Sequence, residues 1–203
     1  VLRQYLHVNV ISDEIYEYLT YGDFRHESIA AVAPDMHHRV FTVSGFSKTY
    51  SMTGWRMGYT GCPDKETADA MKRVQDHSTT GVVSFAQDGA IAALDGDQSC
   101  VAEMRAAFDE RRRFVVEELN RIPGVRCCDP EGAFYAFPNV SAWGVPSMKL
   151  AMRLLEEAHV AVVPGKAFGS EGHLRISFAA SMEALKEGLH RIWTWAEKNT
   201  ECV

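Results

Sequence analysis

Three short apolar runs, His7–Ile11, Val40–Val43 and Arg56–Gly61, each stop at a turn signal: Ser12-Asp13-Glu14, Ser44-Gly45 and Cys62-Pro63. Runs of this length with such boundaries predict strands. The second is apolar throughout, which predicts a buried strand of the kind found in parallel sheets. Amphipathic segments follow and predict helices: one behind Asp64 to about His77, one over 84–95 closed by Asp95-Gly96-Asp97, and a long one over 98–121. Met104, Phe108, Val115 and Leu119 share a stripe of that long helix, Arg111, Arg112 and Arg113 decorate the rest, and Pro123-Gly124 stops it. Beyond it short elements alternate. Strands are expected over Val125–Cys127, Ala133–Phe137, Val160–Val163 and Leu174–Phe178, and helices over Ser147–Ala158 and from Ser181 to about Lys198. Ser147 and Ser181 are the expected N-caps. This order predicts an α/β sheet domain over residues 1–96, with a mostly parallel sheet, and a smaller α+β domain over 97–203.

Composition excludes several classes of partner. The 203 residues, 46% hydrophobic, suffice for a core, and the net charge of -6 offers no basic field to nucleic acid or anionic lipid. A phosphate ligand therefore requires a local device. No apolar run reaches the ~20 residues of a membrane span, and no signal peptide opens the chain. The five cysteines form no CxxC pair, which predicts reduced, mostly buried thiols in a cytoplasmic protein. The eight histidines show no metal-ligand spacing, so no metal is expected, and His37-His38 reads as a solvated turn.

Chemistry concentrates in a few places. Lys48 follows a predicted strand and a Gly/Ser turn, a position from which an amine projects into a cleft at strand ends. Arg56 comes shortly after; its planar fork matches phosphate oxygens, and Ser47 adds a neutral donor. Asp13 lies at a predicted strand end with Tyr16 just beyond. Arg175 sits inside the apolar run Leu174–Phe178, where a charge is costly unless it meets an anion. Taken singly, these are also a surface lysine, a loop arginine, a helix-capping aspartate and a structural ion pair.

The unbroken run from Gly45 to Gly58, GFSKTYSMTGWRMG, resembles the cofactor-attachment signature of class I and II aminotransferases, the pyridoxal 5'-phosphate enzymes of fold type I. The upstream DEIY at 13–16, the GAFY at 132–135, the VVPG at 162–165 and the HLRISF at 173–178 resemble further segments of the same family, and of its aspartate-aminotransferase-like subgroup in particular. The resemblance implies that Lys48 holds the cofactor covalently and acts as the catalytic base. It assigns the cofactor phosphate to Arg56 and Ser47, the pyridine nitrogen to Asp13, the ring oxygen to Tyr16 and the substrate α-carboxylate to Arg175. The implied reaction moves an amino group from an aspartate-like L-amino acid to a 2-oxo acid such as 2-oxoglutarate, in a homodimer. Gly45 departs from a neighbouring subgroup that carries a phosphate-binding serine there, and Ser44 is a candidate replacement.

Family chains begin well upstream of a segment such as Val1–Gln4. The sequence is thus expected to be the C-terminal part of a longer chain. The N-terminal arm, most large-domain strands and the glycine-rich phosphate turn would lie outside it. On that expectation the remaining sheet exposes an unpaired edge and an apolar face, and the isolated chain binds the cofactor weakly. Two rivals remain. C–S lyases and related elimination enzymes use the same lysine, aspartate and arginine, and a truncated relative without activity is the non-enzymatic alternative.

Overall fold

The structure, a computed structural model, describes residues 1–200. The chain divides into two compact units, one over Val1–Glu103 and one beginning at Met104. The division falls inside the long helix.

In the first unit, β1 (Val10–Asp13) and β2 (Val40–Gly45) pair in parallel, and β3 (Gly58–Gly61) returns antiparallel to β2, giving the order β1-β2-β3. The first strand begins at Val10 rather than at His7, and Arg39 is the reason. This residue is buried, and its guanidinium donates to the carbonyls of Leu2 (2.8 Å), Tyr5 (2.9 Å) and Val8 (2.7 Å). Carbonyls that would otherwise seek a strand partner are satisfied by a side chain, so residues 2–8 coil around it. Beside it the short helix α1 (Ile29–Val32) contributes to a cluster of Ala33, Met36 and Val40 with Leu2, Val10 and Ile29.

Phe46 opens the short helix α2 (Phe46–Thr49) and packs with Met57 against Ala86 and Ala90 of α4 (Ser84–Asp95). Small residues let α4 approach closely: a Cβ on Gly89 would lie 2.6 Å from the Trp55 ring. Helix α3 (Lys65–Ser78) is capped as expected, with Asp64 accepting from the Thr67 amide at 2.7 Å, yet it buries none of its residues. Among the described residues β1 and β3 each pair on one side only. Ile11 on β1 is 75% exposed, and Val74, Phe85, Ile91 and Leu94 on α3 and α4 are 68%, 71%, 57% and 53% exposed. This is the open edge and bare apolar face that the sequence reading expected.

Helix α5 (Ser99–Arg121) begins in the first unit and continues into the second, where Phe108, Val115 and Leu119 are buried and Met104 is half-buried. Arg112 does not merely decorate this helix: its largely covered side chain pairs with Asp109 and Asp129. The second sheet has the order β4-β6-β5, with β4 (Tyr135–Ala136), β5 (Val163–Pro164) and β6 (Leu174–Ser177) mutually antiparallel where they pair. The expected strand over Val125–Cys127 is reduced to a single bridge, Arg126 with Asn139. Asn120 causes this: its side chain takes both the amide and the carbonyl of Cys127, each at 2.9 Å. Val160 likewise donates to Leu154, closing α6 (Ser147–Ala158), so β5 starts later than predicted.

Ser147 is not the cap of α6. It is the first helical residue and fully buried; its hydroxyl accepts from the Lys166 amide at 3.2 Å, and its own amide donates to Glu171. The side chain thus ties α6 to the β5–β6 connection. Ser181 does cap α7 (Met182–Asn199), accepting from the Ala184 amide at 3.2 Å.

The thiols also differ from expectation. Cys127 is buried and burial pushes it up to about 11, but Cys62 is half-buried and Cys100 and Cys128 are exposed. These four are free, and Cys202 lies outside the described residues. Among the described residues no helix is long and apolar enough to cross a membrane.

Candidate functional site

Strand direction decides which residues can meet. The parallel register sets Asp13 opposite Val43, so β1 and β2 finish at the same end of the sheet. The antiparallel register sets Gly45 opposite Gly58, so β3 starts at that end. Asp13 and the turn with Tyr16 leave β1 there, Ser47 and Lys48 follow β2 there, and Arg56 precedes β3 there. Five of the six residues singled out from the sequence thus gather at one sheet end of the first unit. Arg175 belongs to β6 of the second unit.

The segment between β2 and β3 is held by its own backbone. The Phe46 carbonyl accepts from the Tyr50 amide at 3.2 Å and the Met52 amide at 3.3 Å, folding the chain around Lys48. Thr53 Oγ1 donates to the Ser47 carbonyl (2.9 Å), and Arg56 Nη1 donates to the Thr53 carbonyl (2.9 Å). The Ser47 backbone and the guanidinium are therefore knit through Thr53. Ser51 and Arg56 have left-handed φ values of 55° and 53°, conformations that non-glycine residues keep only when their surroundings impose them. Arg56 lines an open cleft of about 480 Å³ with Tyr59 and Lys72, so its charge is not sealed inside protein.

The departure at Gly45 has a steric cause. A Cβ there would stand 2.9 Å from the Gly58 Cα and 3.0 Å from the Met57 carbonyl oxygen, and one on Gly58 would stand 2.8 Å from the Ser44 carbonyl oxygen. The strands approach too closely for either side chain. Ser44 does not replace the missing hydroxyl: it is buried and donates to Glu17 Oε1 at 2.8 Å. Tyr59 donates to the same oxygen at 3.4 Å.

Asp13 is exposed, and its Oδ1 accepts from the Ile15 amide at 3.2 Å, starting the turn that carries Tyr16. Its neighbour Glu14 is buried and accepts from Ser12 (3.0 Å) and Ser28 (2.9 Å) and pairs with His26 Nε2 (3.1 Å). Burial alone pushes the Glu14 carboxyl up, but the bonds from His26, Ser28 and Ser12 prevail and hold it below its ordinary value. Neither Glu14 nor Glu17 was singled out from the sequence. Their signal was a pair of carboxylates inside an otherwise apolar turn. The partners of Glu14 stand 2, 12 and 14 residues away and those of Glu17 27 and 42.

Arg175 is half-buried, and its Cζ stands 4.4 Å from the Tyr135 centroid and 4.5 Å from that of Phe168. Among the described residues it has no acidic partner, which removes the structural ion pair as an explanation. Contacts with two aromatic rings do not use its N–H donors, which suit a planar anion. Gly165 shapes the adjoining turn, where a Cβ would fall 2.4 Å from the Ser170 carbonyl oxygen and 2.5 Å from that of His173. Among the described residues no group of His, Cys, Asp and Glu could hold a metal ion.

Residues 1–192 match the family Aminotransferase class I and II. The chain is 50% identical over 188 residues to a probable aspartate/prephenate aminotransferase of Aquifex aeolicus, covering 90% of this chain and 48% of that protein. It is 47% identical over 192 residues to an aspartate aminotransferase of Streptomyces avermitilis, covering 90% and 47%. Among solved structures, the aspartate aminotransferase from Rhizobium meliloti superposes with a TM-score of 0.92 at 40% identity, over 98% of this chain and 52% of that one. An aromatic aminotransferase from Pyrococcus horikoshii does so with 0.90 at 41%, over 95% and 52%. The chain thus spans about half the length of the proteins it matches, and over that span the fold is theirs.

The contact between Gly45 and Gly58 yields a direct test. Gly45→Ser should destabilise the first unit by about 1–3 kcal/mol, the usual range for overpacking. Urea unfolding followed by circular dichroism measures it, and an unchanged midpoint would show that the strands can separate.

Proposed function

The chain belongs to the class I and II aminotransferases, and from that premise we propose that the protein is a pyridoxal 5'-phosphate-dependent aminotransferase. It would move an amino group from an aspartate-like L-amino acid to a 2-oxo acid such as 2-oxoglutarate. The reading rests on one observation above all: an amine, a carboxylate and a guanidinium from three separate segments share one sheet end. That donor set suits the cofactor group by group. Lys48 offers the amine for its aldehyde, Arg56 and Ser47 donors for its phosphate, Asp13 a carboxylate for its ring nitrogen and Tyr16 a hydroxyl for its ring oxygen.

Bound there, the cofactor supplies an electron sink for charge developing at a substrate carbon. The protein's residues do the rest. The Asp13 carboxylate keeps the ring nitrogen protonated, because an opposite charge favours the cation. Tyr16 donates to the ring oxygen. Arg56 neutralises the phosphate and fixes its position by a fork of N–H donors. Arg175 binds the substrate α-carboxylate through two parallel bonds from its free edge. Lys48 would serve as the base that takes the proton from the substrate α-carbon and as the acid that gives it back. A second 2-oxo acid runs the same steps backwards, giving ping-pong kinetics. The names of the Aquifex and Streptomyces relatives support an aspartate-like donor.

The proposal includes a homodimer and a cytoplasmic setting. The first follows from the family to which the chain belongs. Sedimentation at micromolar concentration should give twice the chain mass, and a monomer would remove this part of the proposal.

Incubation with pyridoxal 5'-phosphate followed by borohydride should leave a stable adduct on the peptide containing Lys48, and none there in Lys48→Ala. Labelling spread over exposed lysines with Lys48 untouched would overturn the cofactor assignment. Arg175→Gln should raise the KM of the amino acid about tenfold or more with a smaller change in kcat, as expected for a lost carboxylate anchor. An unchanged KM would exclude that role. Product analysis in the same assays separates transfer from elimination, since a lyase releases ammonia without a 2-oxo acid acceptor.

A further inference from the structure

Asp13 and Glu14 are consecutive, and at a strand end consecutive side chains take opposite sides. Asp13 is exposed while Glu14 is 4% exposed. The Glu14 carboxylate is gripped on that inner side by Ser12, His26 and Ser28, at 3.0, 3.1 and 2.9 Å. Its backbone is gripped as well: the amide donates to the Val43 carbonyl at 2.8 Å, and its carbonyl accepts from the Glu17 amide at 2.9 Å. Glu17 then anchors the far side of the turn on Ser44. The amide bond extends the β1–β2 ladder by one step, and the side-chain bonds hold the irregular turn beyond it.

From this geometry we infer that Glu14 is a positioning residue, whose buried carboxylate fixes the turn after β1 and thereby aims the Asp13 carboxylate. The inference rests on the cofactor reading above and adds to it a residue that touches no cofactor. The physical argument is one of levers. With Glu14 held by three side chains, the peptide between residues 13 and 14 cannot rotate without breaking buried hydrogen bonds, and each such break is expensive. The Asp13 side chain, on the other side of that peptide, inherits the restriction. His26 and Ser28 come from the segment ahead of α1, so the same network also carries the packing of that segment to Asp13.

A double-mutant cycle decides the matter. Glu14→Ala, Asp13→Asn and the double variant are titrated with pyridoxal 5'-phosphate by absorbance, and the exchange of the Ile15 amide, bonded to Asp13 Oδ1, is followed by NMR. Glu14→Ala should weaken cofactor affinity about tenfold, the size of effect that buried hydrogen bonds of this kind support, and should add nothing in the Asp13→Asn background. Ile15 exchange should accelerate while that of Thr60 in β3 stays the same, a local opening rather than a global one. Ser28→Ala, which removes a single bond, should give a smaller loss in the same direction and serves if Glu14→Ala does not fold. Additive losses in the Asp13→Asn background, or Ile15 and Thr60 accelerating together, would overturn the inference and leave Glu14 as general packing. Failure of the wild-type chain to take up the cofactor would bear on the function proposed above instead, and Ile15 exchange would then decide the role of Glu14 alone.

Discussion

The parallel pairing of Val10–Asp13 with Val40–Val43 is the constraint from which the site follows. Parallel strands end together, so residues far apart in sequence leave the sheet at one place. The antiparallel return of β3 completes the arrangement, because an antiparallel neighbour begins where its partner ends. A one-residue slip in either register would turn the side chains to the opposite face. Two features resist such a slip. Gly45 and Gly58 approach more closely than any side chain permits, which fixes their pairing. The Glu14 amide bonds to the Val43 carbonyl and extends the first ladder into the turn.

Buried charge is handled in three ways in the first unit and in the strand around Arg175. Arg39 spends its donors on backbone carbonyls and leaves only Nε without a partner among the described residues. Glu14 is surrounded by donors. Among the described residues Arg175 has neither acid nor carbonyl partner and lies against two rings. The first two are closed: every strong partner is internal, and their effect is to hold chain segments in place. The third has no such closure among the described residues, and in that respect Arg175 differs from Arg39. Half-burial with aromatic faces leaves a cation whose electrostatic demand is met only in part.

Much of this was legible in the residues themselves. Turn chemistry and helix caps located Asp64 and Ser181 correctly, because those signals act over three or four residues. The candidate residues Lys48, Arg56, Asp13, Tyr16 and Arg175 stood out because their chemistry sits beside strand ends or inside an apolar run. What could not be read depends on partners distant in sequence. Asn120 replaces a strand over Val125–Cys127 by taking both polar groups of Cys127. Arg39 delays the first strand by binding carbonyls more than thirty residues away. Ser147 resembles a cap in sequence, but its hydroxyl serves the Lys166 amide. In each case a side chain competes with the backbone for the same hydrogen bond, and the period of the apolar residues carries no trace of the competition.

The same competition bears on the site. The turn between Asp13 and Leu19 has no regular hydrogen-bond ladder, so its shape depends on side-chain anchors at Glu14 and Glu17. The segment around Lys48 is similar in kind: backbone bonds to Phe46 and the Thr53 bridge hold it, and Phe46 is in turn seated on the small residues of α4. Two irregular segments, each braced from behind by buried groups, therefore flank a sheet end whose strands are regular. Reactive side chains require fixed directions, and a loop supplies them only when something else holds it. Here the holding is done by carboxylates on one side and by apolar packing on the other. The two braces fail differently: the first weakens when a carboxylate side chain is removed, the second when the packing on α4 is disturbed.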